Sequence, residues 1–191
     1  TLSATYMDIL KDRLYTWKPD GLPRRSSQTV LYTTTSALIR MMAPILSFLA
    51  EETYSYFKGK KEDSVFLEDF PKAQAEWNKP ELQALFEKIL SVRSDVQKKL
   101  EELRAAKTIG SSLEATVSIT AENEVLQALK SASDLREILI VSNVNLKQSG
   151  YGVLAVKAEG DKCVRCWVYS TDISKAEKTL GVCPKCVEAL T

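Results

Sequence analysis

Histidine is absent from all 191 residues. That absence removes Ser-His and Cys-His nucleophile pairs, and it leaves any zinc site without imidazole ligands. There is no G-x-x-x-x-G-K-[ST] phosphate loop, so nothing marks a nucleotide-binding cradle of that type. No stretch reaches the roughly 18 apolar residues a membrane-crossing helix needs, and no N-terminal stretch reads as a secretory signal. Charge of one sign is lacking too: 26 Lys and Arg face 25 Asp and Glu, a formal net of +1. A globally basic nucleic-acid binder is thereby excluded, and any such site must be a local patch. Acidic pairs such as Glu51 and Glu52, or Glu101 and Glu102, are sequence neighbours that diverge by about 100° on a helix, so they cannot flank one bond and read as solvated faces. We identify no catalytic constellation. The first residue is Thr rather than Met, from which we expect a piece of a longer chain.

What is present is concentrated near the end. "DKCVRCWVYS" and "GVCPKCVEAL" hold the only four cysteines, Cys163, Cys166, Cys183 and Cys186, in a C-x2-C-x16-C-x2-C pattern. Two short turns, each offering two thiolates across a connection of roughly 15 to 20 residues, suit tetrahedral zinc. Two disulfides or a redox dithiol are the competing readings; a reduced compartment argues against the first and the doubled motif against the second. An all-cysteine site is closed and therefore structural. Four thiolates around one Zn²⁺ carry a formal charge of −2, which Lys162, Arg165 and Lys185, interleaved with the ligands, could offset. With metal bound, the chain's formal charge moves from +1 to −1.

Ahead of the cysteines the hydrophobic period is helical. "ATYMDILKDRLYTW" puts Tyr6, Ile9, Leu10, Leu14 and Trp17 on one face, ended by Pro19 and Gly21. "LPRRSSQTVLYTTTSALIRMMAPILSFLAEETYSYF" reads as two helices meeting near Ala43, with Pro44 opening the second. After the polar turn "KGKKEDS", a long helix starts at Pro80, repeats Leu82, Leu85, Phe86, Ile89, Val92, Val96, Leu100 and Leu103, and stops by Gly110. From residue 111 the period drops to two in "SLEATVSI", "EILIVSNVNL" and "GVLAVKA", read as strands around a short helix at 122–131. The expected fold is mainly α: an antiparallel helical bundle over 1–108, a small α+β module over 109–157 and a four-cysteine zinc knuckle over 158–191.

Two stretches invite nucleic acid. Arg24 and Arg25 stand at the mouth of a helix, where guanidinium groups and N-terminal amides could meet phosphates, or they form only a solvated first turn. In the knuckle Arg165, Trp167 and Tyr169 offer a cation and aromatic planes suited to unpaired bases, or Trp167 merely covers the zinc core.

The stretches "YMDILKDRLYTW", "RRSSQTVLYTTTSALIRMMAPILSFLAEETY", "IGSSLEATV", "LREILIVSNVNL" and "KCVRCWVYSTDIS…GVCPKCVEAL", in that order, resemble the C-terminal part of bacterial-type isoleucyl-tRNA synthetases, a class I family, across essentially the whole chain. The resemblance implies an anticodon-binding helical region followed by a terminal zinc-binding domain. It assigns the four cysteines as zinc ligands, Trp167 as the aromatic after the second ligand, and Arg24 and Arg25 as the basic pair opening the long helix. It further implies a cytoplasmic, monomeric ligase that uses ATP in a catalytic domain not contained in this chain. The implied partners are the anticodon stem-loop of isoleucine tRNA and the remainder of the synthetase. Val164 departs from the proline many relatives carry, and Val168 from a frequent histidine. Alternatives are the DNA-binding finger of a formamidopyrimidine-type DNA glycosylase, which ends in a similar cysteine pattern, and a non-catalytic zinc-stapled interaction module.

Overall fold

The computed structural model describes residues 2–59 and 62–191; Lys60 and Lys61 of the polar turn lie outside the described residues. The chain is mainly helical with a small sheet and a four-cysteine knuckle, as its periodicities predict. It forms two compact units, one of residues 2–18 with 79–191 and one of residues 19–78.

The first unit is built on a three-stranded sheet of order β2-β1-β3, with β1 Ala115–Ala121, β2 Asn143–Gln148 and β3 Gly152–Lys157. β1 pairs parallel with β2 and antiparallel with β3. The parallel pairing needs a crossover, and helices α5 (Asn123–Ser131) and α6 (Leu135–Leu139) supply it. Alternation along β1 turns Ala115, Val117, Ile119 and Ala121 to one buried face. Against them lies the apolar stripe of α4 (Pro80–Ala105): Ile89, Val92, Val96 and Leu100, each buried. The stripe of the long helix thus finds its partner in the sheet. α4 groups with the sheet rather than with the helices before it, because their side chains share one core.

Two expectations are corrected. "EILI" was expected to be strand, but Leu135–Leu139 is a helical turn capped by Asp134, whose Oδ1 accepts from Arg136 N–H at 3.0 Å. The short apolar run of residues 138–141 cannot distinguish a buried helix turn from a buried strand, and the Asp N-cap tips the balance. The long helix also ends five residues before Gly110. Lys107 takes φ 57°, and its N–H and that of Thr108 bond back to Arg104 O and Leu103 O. That is a Schellman motif with lysine where glycine is usual.

The second unit contains α2 (Leu22–Met42) and α3 (Ser47–Tyr56). Its core is Ile39, Ala43, Ala50, Tyr54 and Val65. The two helices do meet near Ala43, but Pro44 lies in the connecting turn and α3 begins at Ser47. Glu51 ties down the following segment by accepting from Ser64 Oγ at 3.0 Å and Val65 N–H at 2.9 Å.

Candidate metal centre

The first cysteine pair sits in the tight turn of a two-stranded ribbon. β4 (Asp161–Lys162) pairs antiparallel with β5 (Tyr169–Ser170), and Cys163 N–H donates to Val168 O at 2.9 Å. Gly160 just before it holds φ +89°; a Cβ there would come within 2.4 Å of the Ser170 carbonyl, so no other residue fits. The second pair opens α7 (Pro184–Leu190): Cys183 is its N-cap, Pro184 its first residue and Cys186 lies in its first turn.

These two turns bring the four thiols together, all buried, with their Sγ atoms within 4.8 Å of one another. A tetrahedron with Zn–S bonds of about 2.3 Å needs sulfurs nearly 4 Å apart, so the residues present fit the ion. Backbone amides already point at sulfur, as Cys183 N–H does toward Cys163 Sγ at 3.3 Å. Burial pushes the Cys163 thiol up, yet hydrogen bonds from the Cys166, Cys183 and Arg165 backbones bring it below its usual value. The Cys166 thiol, 3.5 Å from Cys183, holds Cys183 down to about 5 and is itself raised. Val182, with Val168, Ile173 and Val187, packs around the sulfurs.

Trp167 is turned largely to solvent. Its side chain is 60% exposed, its backbone is held at φ 67°, and Lys162 Nζ lies 5.4 Å from its ring centre. Tyr169 is half-buried, its N–H donating to Ser142 Oγ at 2.7 Å. Arg165, expected at a nucleic-acid face, turns inward: its guanidinium bonds Thr16 O and reaches Cys186 Sγ at 3.6 Å. Beside the knuckle runs a cleft of about 1270 Å³ lined in part by Thr116, Ser118, Asn143, Asn145, Trp167 and Tyr169. In the second unit, Arg24 is half-buried and Arg25 exposed, both in the first turn of α2.

Sequence reasoning missed the partners of the knuckle's cations. Lys185 Nζ donates to both Asp12 carboxylate oxygens, at 2.6 and 2.5 Å, and to Thr16 Oγ1 at 3.1 Å. Burial would pull Lys185 down, but the Asp12 carboxylate holds its ammonium above the usual lysine value. Asp12 and Thr16 belong to α1 (Asp8–Thr16), more than 140 residues away in sequence, and no local signal links such distant positions.

The model of the "anticodon-binding domain of tRNA ligase" matches residues 1–119. The chain belongs to this family of tRNA-ligase anticodon-binding domains. A second model, the "zinc finger found in FPG and IleRS", matches residues 160–189 of the same anticodon-binding chain, the span that carries the four thiols. Its relatives include the isoleucine–tRNA ligases of Thermotoga petrophila, Geobacter sulfurreducens and Fervidobacterium nodosum, which are 42%, 40% and 44% identical. Each alignment covers 99% of this anticodon-binding chain and 22% of the relative. The chain thus spans about a fifth of the length of the curated relatives it matches. No helix among the described residues is long and apolar enough to cross a membrane.

Proposed function

We propose that this chain is the tRNA-recognition portion of an isoleucine–tRNA ligase, acting on the anticodon stem-loop of isoleucine tRNA. One observation carries the reading: similarity to isoleucine–tRNA ligases runs unbroken through both the anticodon-binding region and the zinc finger, over 99% of the chain. The parent enzyme attaches isoleucine to its tRNA with ATP, in a domain outside this chain, as a cytoplasmic monomer.

Zinc held by Cys163, Cys166, Cys183 and Cys186 supplies a rigid closed turn and no reaction chemistry. The chain's own residues do the recognition. Arg25, exposed at the first turn of α2, and Arg24 beside it suit phosphates, which position the tRNA without reading sequence. Trp167, pushed out of the metal turn, presents an aromatic plane on which a splayed loop base can stack, and Tyr169 lines the adjoining cleft. Arg165 serves this face indirectly, through the seating of the knuckle.

The test is competition binding of the zinc-loaded chain among isoleucine tRNA, the same tRNA with an altered anticodon, and duplex DNA, at two salt concentrations. The native anticodon is expected to win. Trp167→Ala should erase that preference, whereas Arg25→Ala should weaken all tRNAs alike and reduce the salt slope by about one. A preference for duplex DNA would overturn the reading in favour of a glycosylase-type finger.

A further inference from the structure

The two metal turns share a pattern, C-V-R-C and C-P-K-C, that puts a cation immediately before the second ligand of each, at Arg165 and Lys185. Both cations converge on a single turn of α1. Lys185 grips the Asp12 carboxylate and Thr16 Oγ1, and Arg165 bonds the carbonyl of Thr16, the last residue of α1. That carbonyl is one of the orphan acceptors at a helix C-terminus, where positive charge is favoured. Thr16 is buried, and its hydroxyl also bonds Asp12 Oδ1 at 2.8 Å. The Trp17 ring lies 5.9 Å from Lys185 Nζ, so the next residue closes over the same ammonium.

We propose that Arg165 and Lys185 are positioning residues that seat the metal knuckle on the last turn of α1, coupling zinc occupancy near one end of the chain to the order of a helix near the other. The physical reason is charge. A zinc ion with four thiolates is formally −2, and the two cations between the ligands balance it. Thiols left without metal have no fixed tetrahedron, and the Arg165 and Lys185 backbones, each flanked by ligands, lose the geometry that aims both side chains at α1. Asp12 and the Thr16 carbonyl then lose their cationic donors together. Coupling of this kind is reciprocal: the factor by which zinc steadies α1 equals the factor by which a seated α1 tightens zinc. The proposal concerns only contacts within this chain and stands whether or not the chain binds tRNA.

Amide hydrogen exchange over residues 8–16 of the full chain tests it, with zinc content measured in parallel. Zinc-loaded Asp12→Asn is expected to keep one zinc per chain, to exchange in α1 roughly tenfold faster than wild type, as losing one charge-assisted hydrogen-bond pair implies, and to bind zinc more weakly by a similar factor in chelator competition. Lys185→Met should reproduce both effects and Lys185→Arg should restore them. Chelation of wild type should raise exchange in α1 by more than it does in Asp12→Asn, whose coupling is already broken. Exchange in α1 and zinc affinity both unchanged in Asp12→Asn would overturn the proposal. So would faster exchange with unaltered zinc affinity, because that is local destabilisation without coupling. If chelation unfolds the whole unit, the zinc-loaded comparison alone decides.

Discussion

Trp167 holds φ 67°, a conformation that costs an L-residue about 1–2 kcal/mol and that a metal turn would ordinarily give to glycine. Trp167→Gly therefore separates two roles. Zinc affinity should be equal or greater in this variant, since strain is relieved and the ring is largely exposed, while any discrimination among anticodons is lost. Chelator competition beside tRNA competition checks it, and weaker zinc binding would show that the ring supports the metal site. Tyr151 offers a second residue-scale test. Burial, together with its hydrogen bond to Asp95 Oδ2 at 2.7 Å, pushes the phenol up to about 12. A raised folded value means that the contribution is complete below the ordinary tyrosine pKa near 10 and fades as pH rises through about 12. Asp95→Asn should bring Tyr151 down toward 10 without reaching it, because burial remains; carbon-13 NMR of labelled tyrosine follows it. An unmoved Tyr151 would leave burial as the whole cause.

At the scale of the element, α4 shows where local pattern stops being sufficient. Its apolar repeat was legible in sequence, and Pro80 does start it, but nothing in Ala106–Lys107–Thr108 advertises the left-handed cap that ends it. Lysine is a rare choice there because its Cβ crowds the following carbonyl. Lys107 is exposed and has no packing to lose, so Lys107→Gly should stabilise the first unit by about 1 kcal/mol, read as a higher urea midpoint with unchanged slope. An unchanged or lower midpoint would mean that the lysine side chain contributes more than its strain. The short helix α6 is hidden in sequence because the apolar run of residues 138–141 is too short to show a period, and the left-handed residue that ends it, Ile140 at φ 58°, runs against every local preference of a β-branched side chain. Only the tertiary demand to turn Val141 and Ser142 into β2 accounts for it.

For the whole molecule, the separate main cores of the two units imply separable responses. Leu100 is 1% exposed in the core shared by α4 and the sheet, so Leu100→Ala should cost about 2–5 kcal/mol. Exchange should rise throughout 79–157 while the amides of Ile39, Ala50 and Tyr54, which belong to the other core, keep their protection. Uniform loss in both would show that the units unfold as one.

The sequence by itself determined the four thiols and their spacing, the helical periods of α1 to α4 and the strand period of β1 and β3. These are local properties: ligand spacing fixes coordination, and side-chain alternation fixes which face is apolar. The tertiary structure alone decided that α4 packs on the sheet, that Arg165 turns inward while Trp167 turns out, and that Asp12 and Thr16 meet Arg165 and Lys185. Each of those joins residues far apart in the chain. An apolar stripe specifies that it will be buried but not against what, and a charge specifies that it needs a partner but not which one.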